Sequence, residues 1–369
     1  MSDPHAPAAT GRSSGAPPER AAGPDTGGRP PVSRRVVLAP PVLAVTAAIL
    51  LGALVMAVAG VSPGKAYPAL VNGAIGDGNL PYTIASFVPT LGMALAFAIP
   101  FRAGEFNLGG DGQLALGGIA AAVVALKVPL PGVLAVAGAL IAALLSGALT
   151  AGISGPLATR LGLPAIVTTL LISTPATALA SYLVRFPLAE KGTGIAETPL
   201  LPGRAQLTAL GGSEYVTAGL PIILLVTLGW LWVDGGTVLG YELRVLGAGR
   251  EFARYGGLPV ARLATSSLAA GGALAGLSGA LIVLAQPYRY VDGALTSPGY
   301  TFTGVAAVLL AAGRPRAVPV TAALLTVLQV GGEGMERDAG VPSQLTQVLE
   351  GLIIVIVAVL ATARRLRRS

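Results

Sequence analysis

Residues 106–113 read Phe-Asn-Leu-Gly-Gly-Asp-Gly-Gln at the start of a long apolar run. The amides of Asn107 and Gln113, the Asp111 carboxylate and the Phe106 ring can line a path for a polar molecule, while three glycines let the backbone depart from a regular lipid-facing helix. The same glycines would also serve plain close packing, as Gly272 and Gly276 are expected to do farther along. A second set, Thr169, Ser173, Thr177 and Ser181, recurs every fourth residue and therefore shares one helix face. Such a stripe either lines a wet cavity or bonds to its own carbonyls and to neighbouring helices. Gln344, Gln347 and Glu350 recur at three-residue spacing. A charge such as Glu350 at the middle of a span costs on the order of 3 kcal/mol, so it must face protein or water. Nearer the span entrance the cost falls, and a structural role serves equally well.

Other chemistries are excluded by what the chain lacks. There is no cysteine, which removes disulfides, thiol catalysis and thiolate metal sites. The one histidine, His5, lies in a Pro/Gly/Ser-rich tail, so a His-based relay or metal site is excluded as well. No G-x-x-x-x-G-K-[ST] loop occurs, so the chain does not bind ATP in the P-loop manner and carries no catalytic residues on this reading. The net charge of +7 is spread over short loops beside apolar runs, without the dense basic patch that nucleic acid requires.

The elements that position these groups are membrane spans. Hydrophobic residues make up 53% of the chain and charged ones 11%, and the mean hydropathy is +0.74, values too apolar for a soluble domain of this length. Ten apolar runs fall near 36–60, 84–101, 109–126, 133–153, 163–184, 219–233, 263–284, 301–313, 317–332 and 345–363. With the amino terminus inside, seventeen of the 24 basic residues lie on the inner side, the bias expected of a membrane protein. The expected fold is all-α and polytopic, with about ten transmembrane helices and both termini cytoplasmic. Residues 1–35 have too few large apolar side chains to offset ordering entropy and are expected to form a disordered cytoplasmic tail. Residues 36–363 form the membrane domain, and 364–369 are a short basic cytoplasmic tail.

The third and eighth runs are both interrupted by glycine, at residues 106–113 and at 298–304, and they stand five apart in order. An odd offset places them in opposite orientations, as in an inverted repeat of five plus five. Interrupted spans at matching places in two halves point to a central transport pathway. The cytoplasmic loop 234–262 contains Arg250, Glu251, Phe252, Ala253, Arg254 and Tyr255, expected to form a short helix stopped by Gly256 and Gly257. Such a helix suits docking to a soluble partner through its aromatic and arginine side chains. An ordinary positively charged inner loop would read the same way.

Residues 250–259 resemble the coupling loop of ABC importer permeases. Residues 101–113, 269–284, 299–306, 340–344 and 350–353 resemble one branch of that class, the permeases for nucleosides and simple sugars that work with basic-membrane-lipoprotein-type binding proteins. The resemblance covers most of the chain beyond residue 80. Asp111 stands where the branch has Glu, and Glu350 where it has Gln.

The resemblance implies a permease subunit of the bacterial plasma membrane that imports a nucleoside or sugar. The residues expected to line the pathway are Phe106, Asn107, Asp111, Gln113, Thr169, Ser173, Tyr300, Phe302, Gln347 and Glu350. The resemblance implies ATPase coupling through Arg250, Glu251, Phe252, Ala253, Arg254 and Gly257. No cofactor or metal is expected on this chain; ATP and magnesium belong to a cytoplasmic ATPase subunit. A second permease, forming a heterodimer, and an external solute-binding lipoprotein complete the expected assembly, with the outer loop 185–218 a surface for the latter. The alternative is a carrier driven by a proton or sodium gradient, with Glu350 or Asp111 as the coupling group and residues 244–262 only a connector.

Overall fold

A computed structural model of the chain describes residues 50–341 apart from 59 and 77, together with 348, 351 and 352. The chain there is helical: α1 (Leu50–Val58), then α2 (Pro63–Ile75), α3 (Leu80–Arg102), α4 (Gly110–Lys127), α5 (Gly132–Arg160) and α6 (Ala165–Arg185). After a long connection come α7 (Gly219–Gly236), α8 (Val238–Ala248), α9 (Arg250–Tyr255), α10 (Val260–Val283), α11 (Tyr300–Leu310) and α12 (Val318–Ala339). Between α6 and α7 a small antiparallel hairpin pairs β1 (Ala209–Leu210) with β2 (Ser213–Thr217). Helix is the form that satisfies every backbone group within one segment, which an apolar surrounding requires.

Among the described residues six helices are long and apolar enough to cross a membrane: α3, α5, α6, α7, α10 and α12 with its preceding turn. The helices α4 and α11 lie where the interrupted runs were expected, and α11 is only 11 residues long. Most of the first expected span and nearly all of the tenth lie outside the described residues. The hairpin departs from the all-α expectation, and two helices were not anticipated either. Residues 61–83 read as an external connection, yet 63–75 form α2, bent by 116° from α1. Proline at its first positions suits a helix start, and its Gly73 packs directly on Gly334 of α12. The second is α8, whose N-cap Thr237 accepts from the Gly240 amide at 3.2 Å.

The centre of the bundle is the antiparallel pair α3 and α10, both buried along most of their apolar length. Small residues permit the close approach: Gly92 faces Ser278, and Gly271 faces the Ala96 carbonyl. α4 and α5 pack on α10, whereas α11 and α12 pack on α3. A Cβ on Gly117 or Gly147 would collide with the α10 backbone at Gly276 or Gly272, so those contacts are backbone to backbone. Gly272 and Gly276 have the packing role expected of them.

Candidate functional site

The helix α4 begins in the middle of the bundle, where Gly110 lies against Met93 of α3 and Thr301 of α11. The segment that delivers it, residues 103–109, is held by polar groups. Asn107 and Gln113 form a reciprocal amide pair, Nδ2 to Oε1 at 2.8 Å and Nε2 to Oδ1 at 2.9 Å, and both are almost fully buried. The Leu108 amide donates to Thr169 Oγ1 at 3.2 Å, and the Gly112 amide donates to Ser173 Oγ at 2.9 Å. Backbone donors that a helix start leaves open are thus satisfied from α6.

The hydroxyl stripe of α6 does both things open to it. Thr169 and Thr177 donate back to the Ala165 and Ser173 carbonyls. The same face, from Ser173 through Thr174 and Thr177 to Ser181, lines a cleft of about 480 Å³. Asp111 and Phe302 border it from α4 and α11. Asp111 accepts from Thr301 Oγ1 at 2.5 Å, and Phe302 is exposed. At the other end of the cleft, Asp292 accepts from Ser181 Oγ at 2.9 Å and from Arg185 Nε at 2.7 Å. The cleft therefore has hydroxyls along one wall, a carboxylate at each end and an aromatic ring at its edge, within the size and make-up usual for a small-molecule site.

The expected pathway residues divide by place. Asp111, Ser173 and Phe302 meet at this cleft. Thr169, Asn107 and Gln113 support its floor from within the packing. Phe106 is keyed between Phe97 and Phe101, with ring centroids 5.7 and 5.3 Å away. Tyr300 faces a different cavity of about 520 Å³, shared with Tyr82, Tyr215 and Tyr288. Gln347 and Glu350 lie outside the described residues. Asp292, Thr296 and Thr301 were missed; they come from the connection before α11 and its first turn, and nothing local to those residues signals a partner 111 or 190 positions away.

That connection is anchored to the loop after α6. Arg289 donates to Glu197 Oε1 at 2.5 Å, and the Tyr290 amide donates to Thr198 Oγ1 at 3.0 Å. Burial first, and the nearby Asp292 charge second, push the Tyr290 phenol above its ordinary range and keep it protonated.

The opposite end of the bundle carries α8 and α9. As expected, residues 250–255 form a single short helix. Gly257 has φ +77°, a left-handed turn that glycine adopts without strain. Phe252 and Tyr255 are 71% and 89% exposed among the described residues, so two large rings stand largely in the open. Ala253 is fully buried and faces the bundle, where it seats the helix. Glu251 and Arg254 pair at 3.4 Å along α9, and Arg250 pairs with the buried Glu105 of the α3 to α4 connection. Beside α9 an open cleft is lined by Arg250, Arg254 and Arg262 together with the turn between α5 and α6. Behind it Asp234 at the end of α7 binds Arg102 Nε at 2.7 Å and also pairs with Arg244.

A bundle of long apolar helices, with α4 and α11 meeting at its centre and a short exposed helix at one end, has the form of a multi-pass membrane protein. Residues 79–358 match the family described as branched-chain amino acid transport system / permease component, and the chain belongs to that family. It is 34% identical to a glucose ABC transporter permease protein of Haloferax volcanii, over 85% of each chain. It is 32% identical to a guanosine ABC transporter permease protein of Bacillus subtilis, over 89% of this chain and 94% of that one. A nucleoside ABC transporter permease protein of Lactococcus lactis is 27% identical over 89% and 92% of the two chains. The protein is thus a transport subunit, and in such systems ATP hydrolysis belongs to a separate subunit.

Proposed function

We propose that this permease imports a nucleoside or a simple sugar across a bacterial plasma membrane, with solute passing the cleft between α4, α6 and α11. The single observation that carries the solute class is the composition of that cleft. Hydroxyls of Ser173, Thr174 and Thr177 with the Asp111 carboxylate suit a polyhydroxylated ring, and the exposed Phe302 suits a flat face. The names of the three relatives agree with that class.

Energy enters at the other end. Phe252 and Tyr255 project from α9 while Ala253 anchors it, the arrangement of a docking helix with a buried foot and an exposed head. Its partner is a cytoplasmic ATPase that holds ATP and magnesium. With that end inside, the loop 186–218 and the connection 285–299 face outward, where a solute-binding lipoprotein docks. A second, different permease completes the pathway, and both termini are cytoplasmic.

The packing supports an inverted five-plus-five repeat. Counting the first expected span as one, α3 and α10 are the second and seventh, α4 and α11 the third and eighth, and α5 and α12 the fourth and ninth. The exchange is reciprocal: α4 and α5 pack on α10, while α11 and α12 pack on α3.

The test is uptake by the complete complex in vesicles, with radiolabelled guanosine, ribose and glucose as probes. Glu251→Lys combined with Gly257→Pro is expected to abolish ATP-driven uptake while solute still binds. Uptake that continues unchanged overturns the docking role of α9. Uptake of none of the three probes, with ATPase assembly intact, overturns the solute class.

A further inference from the structure

The α3 to α4 connection touches α8 and α9 on one side and the solute cleft on the other, and it is short. Gly104, with φ +77°, lies against Gly247 at the end of α8; a Cβ on Gly247 would collide with the Arg102 carbonyl. The next residue, Glu105, has a side chain only 3% exposed, and its carboxylate pairs with Arg250, the first residue of α9. A buried carboxylate is costly unless it is paired, so this contact is strongly favoured over an open one. Phe106 is keyed into Phe97 and Phe101, Asn107 is locked to Gln113, and the Leu108 and Gly112 amides are bound by α6. Each successive residue is thus held, and Asp111 at the cleft follows six positions after Glu105.

We propose that Glu105 is a positioning residue for transport: its pairing with Arg250 transmits displacement of α9 to the start of α4, and so moves Asp111 relative to the hydroxyl face of α6. The inference rests on α9 being the ATPase docking helix. Arg102, by contrast, is tied to Asp234 at the end of α7, which also pairs with Arg244 of α8, and so fixes the end of α3. Glu105 therefore sits between the fixed end of α3 and the start of α4, in contact with α9.

The test compares three forms of the complete complex in vesicles: wild type, Glu105→Gln, and the exchange Glu105→Arg with Arg250→Glu. Copurified ATPase, ATP hydrolysis and uptake are measured on each preparation. Glu105→Gln keeps the shape of the side chain and removes the charge. It is expected to retain ATPase binding and basal hydrolysis and to lower solute moved per ATP at least tenfold. The exchange is expected to recover a substantial part of that ratio. An unchanged ratio in Glu105→Gln overturns the proposal, as does a parallel loss of bound ATPase, hydrolysis and uptake that the exchange fails to repair, which marks the pair as structural only. Absence of ATPase from the wild-type preparation instead overturns the docking role of α9 itself.

Discussion

Among the described residues Asp111 receives one side-chain hydrogen bond, from Thr301, at the border of the cleft. A carboxylate can accept two neighbouring hydroxyls of a ring, and a hydrogen bond to a charged group contributes about 1.5–3 kcal/mol. Asp111→Asn is expected to raise the KM for uptake about tenfold or more, with little change in melting temperature. Thr301→Val serves as a control, since it removes the supporting hydroxyl and leaves the charge. Ser173 has a different weight. Its hydroxyl is the acceptor for the buried Gly112 amide, so Ser173→Ala is expected to cost about 1–3 kcal/mol of stability, read as a lower melting temperature in detergent. The residue types in 106–113 and the shared face of the α6 hydroxyls were legible from spacing. Their division into wall and support was not, because burial of Asn107 and Gln113 depends on each other and on α6.

At the scale of elements, helices that share little apolar contrast with lipid are held by shape, and α10 accepts α4 and α5 only where side chains are absent. Gly117→Val or Gly276→Val is expected to abolish folded yield, because the added atoms meet backbone that no rotamer change can move. Gly229 in α7 offers the contrast: nothing lies within 4 Å of its would-be Cβ. Gly229→Ala is expected to be neutral or to stabilise by up to about 1 kcal/mol through helix propensity. Thermal unfolding of the purified variants checks both. The sequence located α3, α5, α6, α7 and α10 because uninterrupted apolar length is a strong signal. It ended α5 near 153 although the helix continues through Pro156 to Arg160, since the glycines and proline there read locally as a stop. Gly155 instead lies against Thr265 of α10, and that contact supports the helix past the break.

For the whole molecule, the proposed orientation rests on the charge placed at the two ends. The chain contains no cysteine, so single introduced thiols report sidedness without background. Thr193→Cys and Tyr255→Cys change exposed residues at opposite ends of the bundle. A membrane-impermeant maleimide applied to intact cells stripped of any outer envelope is expected to label the first and to spare the second until the membrane is opened. The reverse pattern overturns the proposed topology. Glu350→Gln is expected to leave uptake unchanged if the driving force enters through α9 as proposed; abolished uptake with normal expression would return Glu350 to a coupling role.

By itself the sequence determined the class of environment, most of the apolar helices, the short helix 250–255 and the absence of cysteine and P-loop chemistry. Each of these depends on local composition or near-neighbour spacing, which a single chain displays directly. Only the tertiary structure decided that α4 and α11 meet at Asp111 and Thr301, that Asp292 joins the far end of the α6 stripe, and that Glu105 lies under α9. Those contacts join residues 190, 111 and 145 positions apart, and near-neighbour spacing displays none of them.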